Sequence, residues 1–278
     1  MKLVNITSKN DIGANWGWFA EFAFCLIDLL KERGQLYVIS KEINPEALNI
    51  IIASAHHSDY YLECNLPGDS IIVNLEQFYN ESRWSKGKYL ELLSKYRVWD
   101  YSAYNVYWLQ KYHNIKAELF RRMYSSQLDT VERLSRSQKD IDVLFFGTLD
   151  KGREAVKTAL EYHPAINNVV FKFGVWGKER DHLIARSKIV LNIHNYSSIG
   201  IFEASRISRL LSNEAFVITE HSVDDHDYRQ LDGGLVRVER SEIVRTVVKY
   251  LENPEERERI AKIGYEAVKN FKNVTPEF

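Results

Sequence analysis

Short runs rich in apolar residues recur along the first half of this chain: Leu3 to Thr7 reads as the first strand, and Leu36 to Ser40, Asn49 to Ser54 and Ser70 to Leu75 follow as apolar runs of strand length. Runs of this length and continuity read as strands covered on both faces of a parallel sheet. The stretches between them place apolar residues at helical spacing. From Asn15 to Arg33 the pattern predicts a helix with Trp18, Phe22, Cys25, Leu26 and Leu29 on one face and Gly34 as its stop signal. Lys86 to Ser94 and Tyr104 to Tyr112 predict two further helices, with a short strand at Val98 to Tyr101 between them.

The rhythm stops at SSQLDTVERLSRSQKD, which has few apolar positions and neither Gly nor Pro, and so reads as a linker. It then restarts. Strands are predicted at Ile141 to Phe146, Val169 to Phe173, Ile189 to His194, Phe216 to Thr219 and Leu235 to Val238. Helices are predicted at Gly152 to Tyr162, Lys178 to Arg186 and Ile199 to Leu211, and a helical tail runs from Ser241 to about Lys272, punctuated by Asn253-Pro254. The expectation is an α/β protein of two Rossmann-like domains facing a cleft, residues 1–124 and 140–278, joined by a linker over 125–139 and ending in closing helices. No repeat of fixed period is present.

Composition narrows the class. With 278 residues, 45% hydrophobic and 27% charged, the chain has enough apolar material for two ordinary cores. A net charge of -1 supplies no summed field to draw nucleic acid or an anionic membrane. Phe19 to Leu30 is interrupted by Glu21 and Asp28, so neither a signal peptide nor a membrane span is expected, which leaves only peripheral membrane association open. Only Cys25 and Cys64 occur; a buried free thiol is the reading for Cys25, and the usage points to a cytoplasmic protein.

Two segments carry candidate chemistry. In LFFGTLDKGREAV a buried strand ends at Gly147 and passes through a polar turn into a helix. A glycine beyond a strand's carboxyl end lets backbone approach a phosphate, and the helix start offers free N–H groups. Thr148 belongs to that turn, and Lys151 and Arg153 add charge suited to a pyrophosphate. The segment lacks the three-glycine dinucleotide spacing and is not a Walker loop. In KIVLNIHNYSSIGIFEASRIS a strand delivers Asn192 and His194 to a sheet edge, and the next helix carries Glu203 and Arg206 three apart on one face. A carboxylate there can accept both hydroxyl hydrogens of a ribose; the plainer reading of the pair is a surface ion pair.

The stretch from about Ile141 to Asp225 resembles the donor-binding domain of GT-B-fold glycosyltransferases of the group-1 and spore-maturation-like branches. The resemblance implies that Gly147 and Thr148 form the phosphate-side turn and that Glu203 holds the donor ribose. It implies further that Arg206 occupies the arginine position of the spore-maturation-like branch. Where the common group-1 motif has a second glutamate, eight residues earlier, this chain has Asn195. The implied function is transfer of a sugar from a nucleoside-diphosphate sugar, as co-substrate, to a carbohydrate or other small acceptor, with no metal and no further cofactor.

In the first half, NDIGANWGWFAEF follows strand one, so Gly13, Asn15, Trp16 and Gly17 are expected to line the acceptor side of the cleft. His56 and Glu76, just beyond two strand ends, are the candidate catalytic bases, and Asp100 ends a third strand. Two metal readings are set aside: Asp140 and Asp142 open a strand, at the wrong end for the site, and HSVDDHDY, from His221, reads as a polar loop. A nucleotide-sugar epimerase, a non-catalytic small-ligand module and a DNA-base glycosyltransferase are the alternatives on the same scaffold; for the last, Lys86, Lys88, Lys95 and Arg97 are the only first-half basic cluster.

Overall fold

The computed structural model describes residues 2–9, 17–80, 82–195 and 200–278, except the side chain of Trp18. By contacts the chain divides into two units, Met1–Arg122 with Lys272–Phe278, and Met123–Phe271.

The first unit is a six-stranded parallel sheet. Its strands are β1 (Val4–Thr7), β2 (Tyr37–Ser40), β3 (Leu48–Ile52), β4 (Ile71–Asn74), β5 (Arg97–Asp100) and β6 (Ala117–Leu119), in the order β2-β1-β3-β4-β5-β6. The helices are α1 (Ala20–Glu32), α2 (Ser58–Glu63), α3 (Lys88–Lys95) and α4 (Ala103–His113). Central strands are mostly apolar because both faces are covered: Ile50, Ile51, Ile52, Ile71, Ile72 and Val73 have no exposed surface. Burying each such side chain stabilises the fold by about 1.5–3 kcal/mol. Ile51, Ile72 and Val98 pack with Phe78, Tyr89 and Trp108, where the Phe78 and Trp108 rings stack 5.4 Å apart.

The apolar run that forms β2 reads as doubly covered, but it lies at the sheet edge, with Val38 40% and Ile39 42% exposed. Periodicity cannot separate the two cases, since burial depends on which neighbours arrive. Strand β6 and helix α2 are too short for their pattern to register. Cys25 is a buried free thiol on α1, raised well above its ordinary pKa by that burial.

The second unit holds β7 (Ile141–Phe146), β8 (Val169–Lys172), β9 (Ser187–Asn192), β10 (Val217–Glu220) and β11 (Val236–Val238) in a parallel sheet ordered β11-β10-β9-β7-β8. Around it lie α5 (Lys151–Glu161), α6 (Gly177–Arg186), α7 (Ala204–Leu211), α8 (Ile243–Leu251) and α9 (Pro254–Lys269). Val143, Phe145, Ile189, Leu191, Ile218 and Val247 form its core.

Two boundaries differ from the sequence reading. Residues 125–139 do not run free. Leu128 and Val131 are buried, and the Asn213 side chain accepts from the Thr130 and Val131 amides at 3.0 and 2.8 Å and donates to Leu128 O. The chain end, in turn, belongs to the first unit. Arg121 and Val274 form an antiparallel bridge, Arg33 donates to Pro276 O at 3.0 Å, and the Phe278 ring lies 5.5 Å from Trp99. Both features rest on contacts between residues distant in sequence, which no local pattern announces.

Candidate active site

Neighbouring strands β7 and β9 are the point where the order of the second sheet reverses: the chain leaves β7 for β8 on one side and β9 for β10 on the other. In open α/β sheets ligands bind outside the carboxyl ends of the strands at such a point. Here the strand ends deliver Gly147 from β7 and Asn192 and His194 from β9, bringing together four of the second-half candidates once α7 adds Arg206.

Gly147 has φ of +152°, and a Cβ on it would lie 3.1 Å from Phe145 Cζ and 3.3 Å from Arg206 Nη2. A side chain there would displace the guanidinium, so glycine is what lets Arg206 approach the strand end. Its amide is committed elsewhere. The N–H donates to Lys172 O at 2.8 Å, extending the ladder to β8, so the expected phosphate contact from this amide is corrected to steric clearance. The exposed Thr148 and Lys151 follow, and the first amides of α5 have no helical acceptor of their own. Asp150 caps α5 by accepting from Arg153 N at 2.9 Å.

Arg206 is aimed by a relay. Thr219 of β10 receives the Asn192 amide N–H at 2.8 Å, which leaves Asn192 Oδ1 to accept from Arg206 Nη1 at 2.9 Å. The guanidinium also lies over the Phe145 and Phe146 rings, 5.6 and 5.5 Å from their centroids, a cation–π arrangement that keeps a charge in place with little water.

Glu203 stands at the N-cap of α7, not a turn inside it, because α7 begins at Ala204 rather than at 199. The reason is tertiary. Asp224 accepts from Phe202 N at 2.8 Å, and the Phe202 ring stacks 4.0 Å from Tyr228, which holds this segment out of the helix. Residues 196–199 lie outside the described residues.

Arg153, expected at a pyrophosphate, is placed otherwise. Only 3% exposed, it donates twice to Ile193 O, at 3.1 and 2.6 Å, and once to Thr148 O at 2.7 Å. Burial, followed by the charge of Arg206, pulls its pKa down to about 10. It is a clamp joining the turn after β7 to the end of β9. His194 is likewise structural in its contacts: buried, with Nε2 3.2 Å from His221 O and 3.1 Å from Ser222 Oγ. Gly200 packs against its ring, where a Cβ would overlap it.

Two residues not singled out from the sequence complete the site. Glu220, at the end of β10, accepts from His194 N at 2.6 Å, and Arg240 donates to His194 O at 2.9 Å while pairing with Glu220 at 2.6 Å. The pair thus fixes both backbone groups of His194. Arg240 also lies against Gly152 at the start of α5, where a Cβ would strike its guanidinium. The strand-end reasoning that selects Asn192 also applies to Glu220 in FVITE; Arg240 follows a strand from which it takes no local mark.

In the first unit, Gly13, Asn15 and Trp16 lie outside the described residues, and Gly17, with φ of +56°, opens a 3-10 turn ahead of α1. His56 and Glu76 follow the neighbouring strands β3 and β4. Glu76 is fixed through its backbone: its N–H donates to Asn74 Oδ1 at 3.0 Å and its carbonyl accepts from Asn105 Nδ2 at 2.8 Å. Asp100 is fully buried and accepts from Asn74 Nδ2 at 2.5 Å and Asn105 Nδ2 at 3.0 Å, which makes it the centre of a loop-holding network.

His56 is exposed, edge-on to Trp84 at 4.9 Å and 3.5 Å from Arg83 Nη2. Partial burial, then the charges of Arg83 and His57, lower its pKa below the ordinary 6.5. All three disfavour the cation, so the ring is neutral at pH 7 and protonates only as pH falls through a value under 6.5. Nuclear magnetic resonance titration of its ring protons should show that midpoint, moving upward in Arg83→Ala. A midpoint at or above 6.5 in the unaltered protein would contradict the placement.

The acidic pairs considered for metal are engaged. Asp140 pairs with Arg186, and the buried Asp142 accepts from Lys188 at 2.6 Å and from Asn167 N at 2.7 Å, at the amino end of β7. Asp225 accepts from Arg237 at 3.0 Å and Ser222 N at 3.0 Å. Among the described residues, no three His, Cys, Asp or Glu side chains gather as a metal site, and no helix is long and apolar enough to cross a membrane.

Residues 121–274, more than half of the chain, match the family described as glycosyl transferase-like. The chain belongs to that family. Two uncharacterized proteins of Acanthamoeba polyphaga mimivirus are each 24% identical to this glycosyl transferase-like chain, over 179 and 170 residues. These matches take in 59% and 56% of the chain but only 23% and 50% of the relatives' own lengths. Among solved structures, the fold is similar to that of sucrose-phosphate synthase from Thermosynechococcus elongatus, with a TM-score of 0.62 and 10% identity over 97% of this chain and 94% of that one. It is similar to the T4 phage β-glucosyltransferase in complex with UDP-glucose, at 0.61 and 13% over 97% and 94%. It is also similar to WaaG, a glycosyltransferase involved in lipopolysaccharide biosynthesis, at 0.59 and 11% over 96% and 95%. At these identities the likeness concerns the fold, which is of the GT-B type: two Rossmann-like α/β units.

Proposed function

We propose that the glycosyl transferase-like unit binds a nucleoside-diphosphate sugar at the carboxyl ends of β7 and β9, and that the protein transfers its sugar to an acceptor. The observation that carries this reading is Arg206, held by Asn192 against Gly147. A guanidinium fixed at a strand end suits a diphosphate whose charge grows as the sugar departs. Lys151 adds a second cation on the exposed side, and Glu203, at the N-cap of α7, is the candidate clasp for the ribose hydroxyls. Because a neighbour of similar fold holds UDP-glucose, uridine is the first base to test. If transfer inverts the sugar, His56, neutral at pH 7, is the first candidate base; a retaining course asks for none.

A thermal-shift panel of nucleoside diphosphates and their sugars tests the reading, since a ligand bound only by the folded state raises the unfolding temperature by mass action. One base should give a selective upward shift that Glu203→Ala weakens. Incubation with donor alone should leave the sugar's configuration unchanged, which separates transfer from epimerisation. A flat response across the panel would overturn the proposal.

A further inference from the structure

We infer that the second unit carries a phosphate-binding site at the opposite, amino end of its sheet, separate from the strand ends that form the candidate donor site. A cavity of about 200 Å³ lies there, walled entirely by residues of this unit. Its lining includes Lys139 just before β7, Lys188 at the start of β9, Asn213 to Phe216 just before β10, and Arg257 on α9. Six cationic side chains face it against three carboxylates.

The surplus is not spread evenly. Arg133 pairs with Glu214 at 2.9 Å, Arg136 pairs with Glu255 and Glu258, and Lys188 pairs with Asp142. Lys139 and Arg257 are left with carbonyl oxygens alone. Lys139 Nζ donates to Ser187 O at 3.1 Å, and Arg257 to Tyr250 O and to Leu251 O at 3.1 Å; among the described residues neither has a carboxylate at ion-pair distance. Arg257 is 9% exposed. Burial lowers the pKa of both; the charge of Arg257 lowers that of Lys139 further and the charge of Arg136 lowers that of Arg257, while Glu258, at ion-pair distance from neither, offsets only part of this. Two desolvated cations with no carboxylate in direct contact are costly for a fold to keep. An anion seated between them removes both the repulsion and the missing partner.

The chemistry of the pair selects the ligand class. A guanidinium fork and an ammonium point charge together suit the tetrahedral oxygens of phosphate. The cavity exceeds a bare phosphate ion, and Ile184, Ala215, Phe216 and Ala261 give it an apolar side, so a phosphate monoester of a small molecule fits as well as free phosphate. Glu214, also in the lining, has a left-handed backbone with φ of +51° and accepts from Arg133 Nε at 2.9 Å.

The test uses the whole chain, with UDP present to occupy the candidate donor site. Inorganic phosphate and a hexose monophosphate are titrated by calorimetry onto the unaltered protein, Lys139→Met and Arg257→Lys. Saturable binding is expected in the unaltered protein and at least tenfold weakening in Lys139→Met, whose UDP response stays intact. Without any phosphate, Lys139→Met should unfold at a higher temperature than the unaltered protein, because it removes a desolvated cation that has no carboxylate in contact. Tighter binding of the ester than of phosphate assigns the cavity to a phosphorylated metabolite, and equal binding assigns it to phosphate itself. No binding in the unaltered protein, or equal binding in Lys139→Met, overturns the inference. Loss of the UDP response alone bears on the donor reading and leaves this one standing.

Discussion

Arg206→Ala should lower kcat/KM for sugar transfer by about two to three orders of magnitude, the effect of removing one preorganised donor from a developing negative charge, or ~3–4 kcal/mol. The expectation follows from how the side chain is held: Asn192 takes one arm of the guanidinium, two phenylalanine rings support its face, and Gly147 clears space beside it. A group fixed before the substrate arrives does not have to be ordered at the moment of reaction. Arg206→Lys should recover little, since an ammonium cannot both accept the direction set by Asn192 and present a planar fork. Steady-state kinetics with the donor identified by the thermal panel, alongside urea unfolding, separates this from a folding defect: activity should collapse while stability falls by only about 1–3 kcal/mol, the cost of leaving the buried Asn192 Oδ1 without its donor, and the protein stays folded under assay conditions. Turnover within threefold of the unaltered protein would remove Arg206 from the site.

Arg153→Met produces the reverse profile. It should cost about 2–5 kcal/mol of stability, because the carbonyls of Thr148 and Ile193 lose their donor and each buried acceptor left unpaired costs about 1–3 kcal/mol. Methionine fills much of the same volume, so the loss reports on hydrogen bonding more than on a cavity. Nucleotide affinity should fall as well, since the turn after β7 is tied to the end of β9 through this one guanidinium. Urea denaturation followed by fluorescence measures the first effect. A change in stability below about 1 kcal/mol would mean that the clamp contributes little, and that Arg153 is free to meet a ligand after all.

These two arginines show how far the sequence could be read. Both sit near a strand end in a doubly wound pattern, and both carry the right charge for a diphosphate. Their different duties come from a difference of position that spacing does not encode: Arg153 lies on the face of α5 that turns inward beneath its own loop, whereas Arg206 follows a helix start displaced to Ala204 by Asp224 and Tyr228. Gly147 was legible as a position where bulk is excluded, but not as one whose amide is already bonded to Lys172. Glu220 and Arg240 escaped notice for related reasons. Their importance lies in holding the backbone of His194, 26 and 46 residues away, and only the meeting of β9, β10 and the loop after β11 creates it.

By itself the sequence determined the class and the rhythm: continuous apolar runs specify buried parallel strands, helical spacing specifies the covering layer, and the glycine-ended strand with FEASRIS marks the half that belongs to the glycosyl transferase-like family. These are local consequences of side-chain size and hydrogen-bonding geometry. Tertiary structure alone decided that β2 is an edge, that residues 125–139 are packed and that the last seven residues join the first unit. It also decided which of several equivalent arginines is held by a side-chain amide and which directs its charge to carbonyl oxygens. Burial and partnership are set by whatever arrives from elsewhere in the chain, and a residue's own neighbours in sequence carry no record of it.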